Sequence, residues 1–161
     1  MKHTISALVK NRPRVLTRVA GLFARRGFNI DSLAVGTTQD PAISRITLVV
    51  DADDATLQQI VKQLDKLHDV QTVFDHTGQA VVERELCLVK VEAGRERRSE
   101  VLQLCQIFRA DVVDIGNGTL ILQVVGDSGK VDAFIKNLGD YGITEMVRTG
   151  KVVLARGAQK T

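Results

Sequence analysis

Hydrophobic positions in the first half of the chain change spacing several times, and each change predicts a new element. Residues 3–10 are rich in β-forming residues and predict a first strand. A helical face follows, with apolar residues three or four positions apart: Val15, Leu16, Val19, Leu22 and Phe23. Gly27 is typical of a helix C-terminal cap, and strands are predicted at 28–35 and 41–51. A second helix after Asp53 and a strand at 70–74 complete the order β-α-β-β-α-β.

The same order of patterns recurs in the second half. A polar stretch at 75–83 predicts a linker, and the strands that follow it are predicted at 85–91, 110–115, 119–125 and 143–147. Two helical faces separate them, and 149–157 predicts a short extra hairpin. The fold class predicted is α+β, with two tandem ferredoxin-like βαββαβ domains at residues 1–77 and 78–161. Because each copy is small, we expect each to bury a sheet edge or its helices against a neighbour.

Composition narrows the function classes. The chain has 161 residues, 44% hydrophobic and 25% charged, which is typical of a globular protein, and no apolar run approaches a membrane span. Cys87 and Cys105 both lie in apolar patterns and predict buried free thiols in a reducing cytoplasm. The net charge of +3 comes with only 4% aromatic residues, and neither third strand carries Phe or Tyr. Nucleic-acid binding by base stacking is therefore disfavoured.

No catalytic or metal-binding constellation emerges from the spacing of reactive residues. His3, His68 and His76 are scattered, and we expect them to be ordinary surface or strand-end histidines. Neither cysteine has the context of a zinc site, and no glycine-rich stretch has the spacing of a phosphate loop. A small enzyme is therefore a distant alternative, and neither catalysis nor a metal site is expected in this chain.

The loop "KNRP" between the first strand and the first helix is the candidate binding element. Pro13 suits the first turn of a helix, whose free amides favour a carboxylate. Asn11 in this loop and Asn29 at the next strand can together hold both ends of an amino acid. The alternative is structural, with Asn11 as helix cap and Asn29 as a turn residue. The second copy lacks both asparagines, so we interpret the first half as the sensor.

Collinear segments across the whole chain resemble one known family. They include "NRPRVLTRVAGLFARRGFNIDSLAVG", "DPAISRITLVV", "VERELCLVKV", "IFRADVVDI" and "TGKVVLARG". These are similar to the small regulatory subunit of acetolactate synthase (acetohydroxyacid synthase), which has an N-terminal ACT domain and a C-terminal ACT-like domain. The resemblance implies a non-catalytic protein that activates a catalytic large subunit carrying thiamine diphosphate, FAD and Mg. It also implies feedback inhibition by valine, with leucine and isoleucine as alternatives, in branched-chain amino acid biosynthesis.

The resemblance further implies a homodimer whose N-terminal domains join their sheets, with the effector between two chains. Its implied contact residues are Asn11, Pro13, Arg14, Val15, Leu16, Asn29, Ile30 and Leu33. Arg14 departs from the family, which usually has Gly there so that backbone amides close on the carboxylate. An arginine strains the turn if the backbone requires a positive φ. A free-standing ACT-repeat amino-acid sensor that regulates another protein is the alternative of a different class.

Overall fold

The computed structural model describes residues 1–161 and divides them into two compact units. The first unit contains residues 1–82 and 152–161, and the second contains residues 83–151. The predicted boundary at 77/78 differs from this division, because residues 152–161 return to the first unit. There the backbone N–H of Arg156 donates to the Ala80 carbonyl at 3.0 Å, and the Arg45 guanidinium donates to the main-chain oxygen of Thr161.

The first unit is one antiparallel sheet with two helices on one face. Its elements are β1 (Lys2–Lys10), α1 (Val15–Arg26), β2 (Ile30–Thr37), β3 (Ile43–Asp51), α2 (Asp54–Asp65) and β4 (Val70–Asp75). The strand order is β2-β3-β1-β4, so β2 and β4 form the sheet edges. Alternate residues of β1 and β3, among them Ile5, Ile46 and Leu48, are buried with the apolar faces of both helices. The predicted β-α-β-β-α-β order is confirmed for this unit.

The second unit repeats the plan. Its elements are β5 (Val81–Glu92), α3 (Arg98–Phe108), β6 (Asp111–Ile115), β7 (Thr119–Gly126), α4 (Ser128–Leu138), a 3₁₀ turn (Gly139–Tyr141) and β8 (Ile143–Arg148). The strand order is β6-β7-β5-β8, and Phe108 packs on Phe134 with ring centroids 5.3 Å apart. The α+β class with two ferredoxin-like units is therefore confirmed.

Three local predictions differ from the structure. The polar stretch at 75–83 is not all linker, because β5 begins at Val81. The segment 149–157 contains a single strand, β9 (Val152–Ala155), rather than a hairpin. His3 and His76 lie at strand ends as predicted, but they are only 2% and 5% exposed. Their hydrogen-bond partners lie far along the chain, Thr77 and Ala52 for His3 and Ser6 for His76, which no local pattern in the sequence reveals.

The burial of His76 predicts a pH-dependent stability for the first unit. Its Nε2 lies 2.8 Å from the Ser6 hydroxyl, and burial is the main cause that lowers its pKa, aided by the Arg45 charge and opposed by Asp75. A depressed pKa in the folded state means that the charged imidazole is disfavoured there. We expect the free energy of unfolding to decline as the pH falls below about 6.5, the ordinary pKa of histidine.

Urea denaturation of the natural chain and of His76→Gln across this pH range measures the effect. The variant should lose less stability between neutral and acidic pH, whereas His68→Gln, at an exposed position, should behave like the natural chain. Equal pH dependence in all three chains would show that His76 does not carry it.

Candidate effector-binding site

The loop between β1 and α1 forms the start of the candidate site. Helix α1 begins at Val15, and Arg14 is its N-cap residue with φ 73° and ψ −5°. Pro13 therefore lies before the helix and not in its first turn, because the chain must pass through the left-handed region at Arg14 before it can become helical. Only Arg14 and Arg109 combine a side chain larger than glycine with a positive φ.

The first turn of α1 is open. No side chain caps it and no acidic residue lies in it. By contrast, the caps Asp53 of α2 and Asp127 of α4 each accept a hydrogen bond from a backbone N–H of their own helix. Uncapped N–H groups and the helix dipole together favour an anion.

Asn11 does not cap the helix, so the structural alternative for its side chain is not realised. Its Nδ2 donates to the Pro41 carbonyl at 3.0 Å, and its backbone N–H donates to the Ala42 carbonyl at 2.7 Å. These bonds hold the β1–α1 loop against the turn that precedes β3. Pro41 and Ala42 are thus part of the site's support, and sequence reasoning missed them because no spacing links them to Asn11.

The first two helical side chains face different surroundings. Val15 is 4% exposed and packs in the core, so only its backbone borders the open helix start. Leu16 is 43% exposed and therefore presents apolar surface beside the helix start. The Arg14 side chain is exposed and has neither a hydrogen bond nor an ion pair.

The remaining candidate residues belong to β2. Asn29 directly precedes this strand and is exposed, and its Nδ2 donates to Asp31 Oδ1 at 3.1 Å. Ile30 and Leu33 are partly buried against the first core. Since β2 is an edge strand, the main-chain groups on its outer side have no partner strand in this chain.

Sheet register separates the two asparagines within one chain. Lys10, next to Asn11, pairs with Ile43, whereas Ile30, next to Asn29, pairs with Val50. Val50 lies seven residues after Ile43 on β3, which corresponds to about 23 Å of strand. One chain therefore cannot bring Asn11 and Asn29 to the two ends of the same amino acid, and the site as read from the residues alone is incomplete.

Three further observations concern metal ions, thiols and membrane-spanning helices. No group of three or more His, Cys, Asp or Glu side chains is placed to hold a metal ion. Cys87 and Cys105 are free and buried as predicted, and burial raises the pKa of both thiols. No helix is long and apolar enough to cross a membrane.

The two βαββαβ units, with the candidate effector loop between β1 and α1, are typical of a tandem ACT protein. The family model "AHAS small subunit-like ACT domain" matches residues 5–72, and "Small subunit of acetolactate synthase" matches residues 84–157. The two matched ranges correspond to the two sheets.

Relatives extend this match over nearly the whole chain. A probable acetolactate synthase small subunit of Archaeoglobus fulgidus is 52% identical over 160 residues, covering 99% of this chain and 100% of that one. The acetolactate synthase small subunit of Mycobacterium bovis is 46% identical over 96% of this chain and 92% of its own. The crystal structure of the acetolactate synthase small subunit from Thermotoga maritima superposes with a TM-score of 0.89 at 40% identity, covering 99% of both chains. The chain belongs to the acetolactate synthase small-subunit family.

The positive φ of Arg14 leads to a prediction about the stability of helix α1. A left-handed backbone costs a non-glycine residue about 1–2 kcal/mol, part of which glycine loses again through its greater freedom when unfolded. We expect Arg14→Gly to raise the free energy of opening of α1 by about 1 kcal/mol, as measured by native-state hydrogen exchange of the helix amides.

Arg109→Gly, at the αL end of α3, should raise the opening free energy of that helix by a similar amount. Gln103→Gly, in the exposed middle of α3, is the opposite control and should lower it by about 1 kcal/mol. If Arg14→Gly behaved like Gln103→Gly, the αL conformation of Arg14 would be wrong.

Proposed function

We propose that this chain is a regulatory subunit that binds and activates the catalytic subunit of acetolactate synthase and confers feedback inhibition by valine. Family membership over both units supports the regulatory role. In this proposal thiamine diphosphate, FAD and Mg belong to the catalytic large subunit. The buried free thiols fit a reducing compartment such as the cytoplasm.

In this proposal, a homodimer that forms through β2 completes the effector site. The strand "IDSLAVGT" presents an unpaired edge of eight residues with a single charge, Asp31, and no proline. Edges with so few blocking charges readily accept another strand. Antiparallel pairing of β2 with its copy joins two four-stranded sheets across a two-fold axis.

This pairing brings Asn11 of one chain near Asn29 of the other. Strands β1 and β2 run parallel to each other, so the β1–α1 loop lies at the same end of the sheet as the C-terminal end of β2. An antiparallel copy places the start of its own β2, with Asn29, at that end. Asn11 of one chain and Asn29 of the other then approach from two sides.

The carboxylate, ammonium and isopropyl groups of valine each match a part of such a shared site. The open N-terminus of α1 favours its carboxylate, and the asparagine oxygens can accept from its ammonium. The half-buried Ile30 and Leu33, with the exposed Leu16, offer apolar surface for the isopropyl group. Arg14 has no partner of its own, and its guanidinium can pair with the carboxylate.

Inhibition then follows from a difference in affinity. A ligand that bridges two chains acts only if it binds the inhibiting arrangement more tightly than the activating one. A tenfold effect needs about 1.4 kcal/mol of coupling, which a few hydrogen bonds to a charged ligand can supply.

Mixed dimers test whether the site is shared between chains. Asn11→Ala and Asn29→Ala homodimers should each lose valine binding in calorimetry. A mixed dimer with one chain of each type should regain one binding site, because one of its two sites then carries both changes and the other carries neither. A site within a single chain predicts no recovery in the mixed dimer, and that result would overturn the shared site.

Reconstitution with the catalytic subunit tests the regulatory role. We expect the chain to raise the rate of acetolactate formation and valine to lower it again. Arg14→Gly should keep the activation but weaken valine inhibition about threefold at low salt, since an exposed charge pair is worth a fraction of a kcal/mol and is screened by salt.

Arg109→Gly is the matched control, because it relieves the same backbone strain in the second unit and should leave valine inhibition unchanged. An unchanged rate of the catalytic subunit would refute activation. Valine binding without any effect on that subunit would favour the free-standing amino-acid sensor instead.

A further inference from the structure

The two candidate asparagines each direct their amide nitrogen at a group that can only accept a hydrogen bond. Nδ2 of Asn29 donates to Asp31 Oδ1 at 3.1 Å, and Nδ2 of Asn11 donates to the Pro41 carbonyl at 3.0 Å. A carboxylate and a main-chain carbonyl have no proton to donate, so the opposite orientation of either amide would place two oxygens against each other. Both asparagines therefore turn their own side-chain oxygen away from these partners.

Asp31 is held at an irregularity of the edge strand β2. The register of β2 on β3 shifts between Ile30 and Ser32, which leaves Asp31 without a pairing position. Its second oxygen, Oδ2, lies 3.0 Å from Lys2 Nζ, and its side chain is 23% exposed, so its bond to the asparagine is partly shielded from water. Bulges of this kind redirect side chains next to functional sites.

The second unit shows that this irregularity does not need a carboxylate. There the register of β6 on β7 shifts in the same way, between Val112 and Asp114, and the residue between them is Val113. Val113 has no polar side-chain atom, so β6 follows this path without a bond like the one between Asp31 and Asn29. The backbone path therefore does not explain the carboxylate in the first unit.

We propose that Asp31 is a positioning residue of the effector site, which directs the oxygen of Asn29 towards the ligand and so makes the site require an ammonium group. This inference rests on the proposed function, in which Asn29 faces an amino acid held between two chains. An ammonium can only donate, and amide oxygens beside a carboxylate complement it. The site then distinguishes an α-amino acid from the 2-oxo acid or the plain carboxylic acid with the same carbon skeleton.

Asp31→Val tests this role, because valine is the residue at the corresponding bulge of the second unit and the fold should accept it. Without the carboxylate the Asn29 amide can turn either way, so the ligand's ammonium loses an oriented acceptor. We expect free valine to bind the variant dimer about tenfold more weakly, since a hydrogen bond to a charged group is lost. Isovalerate has the same carboxylate and isopropyl group but no ammonium, and it should bind both chains equally.

Calorimetry for valine and NMR titration for the weaker isovalerate measure these affinities in the full chain. High salt in both experiments screens the long-range effect of the lost charge. Asp65→Ala removes an exposed carboxylate at the end of α2, so it is the matched charge control and should change neither affinity.

A second substitution should rescue the variant. Asn29→Asp combined with Asp31→Val keeps the net charge and reproduces the order of Asp111 and Val113 in the second unit. A carboxylate presents an oxygen in either orientation, so valine affinity should return to within about threefold of the natural chain. The rescue decides the role even where isovalerate binds too weakly to measure, because general damage to the site would not be repaired in this way.

Three results would overturn the positioning role while the shared effector site stands. They are an unchanged valine affinity in Asp31→Val, equal losses for valine and isovalerate, and a double variant that binds valine no better than Asp31→Val. If valine does not bind the natural dimer, the proposed function fails, and this inference fails with it.

Discussion

Strand β3 pairs with β1 on one side and with β2 on the other, and the candidate site depends on that double pairing. Antiparallel pairing on both sides makes β1 and β2 parallel to each other. The loop after β1 and the residues before β2 must then lie at opposite ends of the sheet. Their joint use by one ligand requires a second chain, so in the proposed function effector binding depends on dimer formation.

Arg14 adds a conformational cost to the β1–α1 loop, because its backbone has a positive φ. Strained backbone often persists at functional sites where the surroundings determine it, but Arg109 shows that an αL arginine is not by itself a sign of function. What distinguishes Arg14 is its place. It precedes a helix whose first amides have no cap, whereas Arg109 ends a helix where an αL residue is ordinary.

Element order and type could be predicted from the sequence, because the spacing of apolar residues reflects burial directly. The Gly27 cap was equally predictable, and the structure places it in the αL conformation. The start of α1, the burial of His76 and the return of residues 152–161 could not be predicted, because each depends on partners far along the chain. The candidate site residues could be named from the sequence. The separation of Asn11 from Asn29 within one chain follows only from strand register.

The loops that lead into α1 and α3 differ in the contacts of their arginines. In the second unit Arg97 and Arg98, at the start of α3, make internal contacts. Arg97 donates to the Asp140 carbonyl and lies 4.6 Å from the centre of the Tyr141 ring, and Arg98 donates to backbone carbonyls. At the start of α1, the N-cap residue Arg14 has no such partner, and neither α1 nor α3 has a side-chain hydrogen bond at its N-cap. The N-cap arginine is therefore engaged by Asp140 and Tyr141 in the second unit and makes no such contact in the first, although the backbone plan is the same.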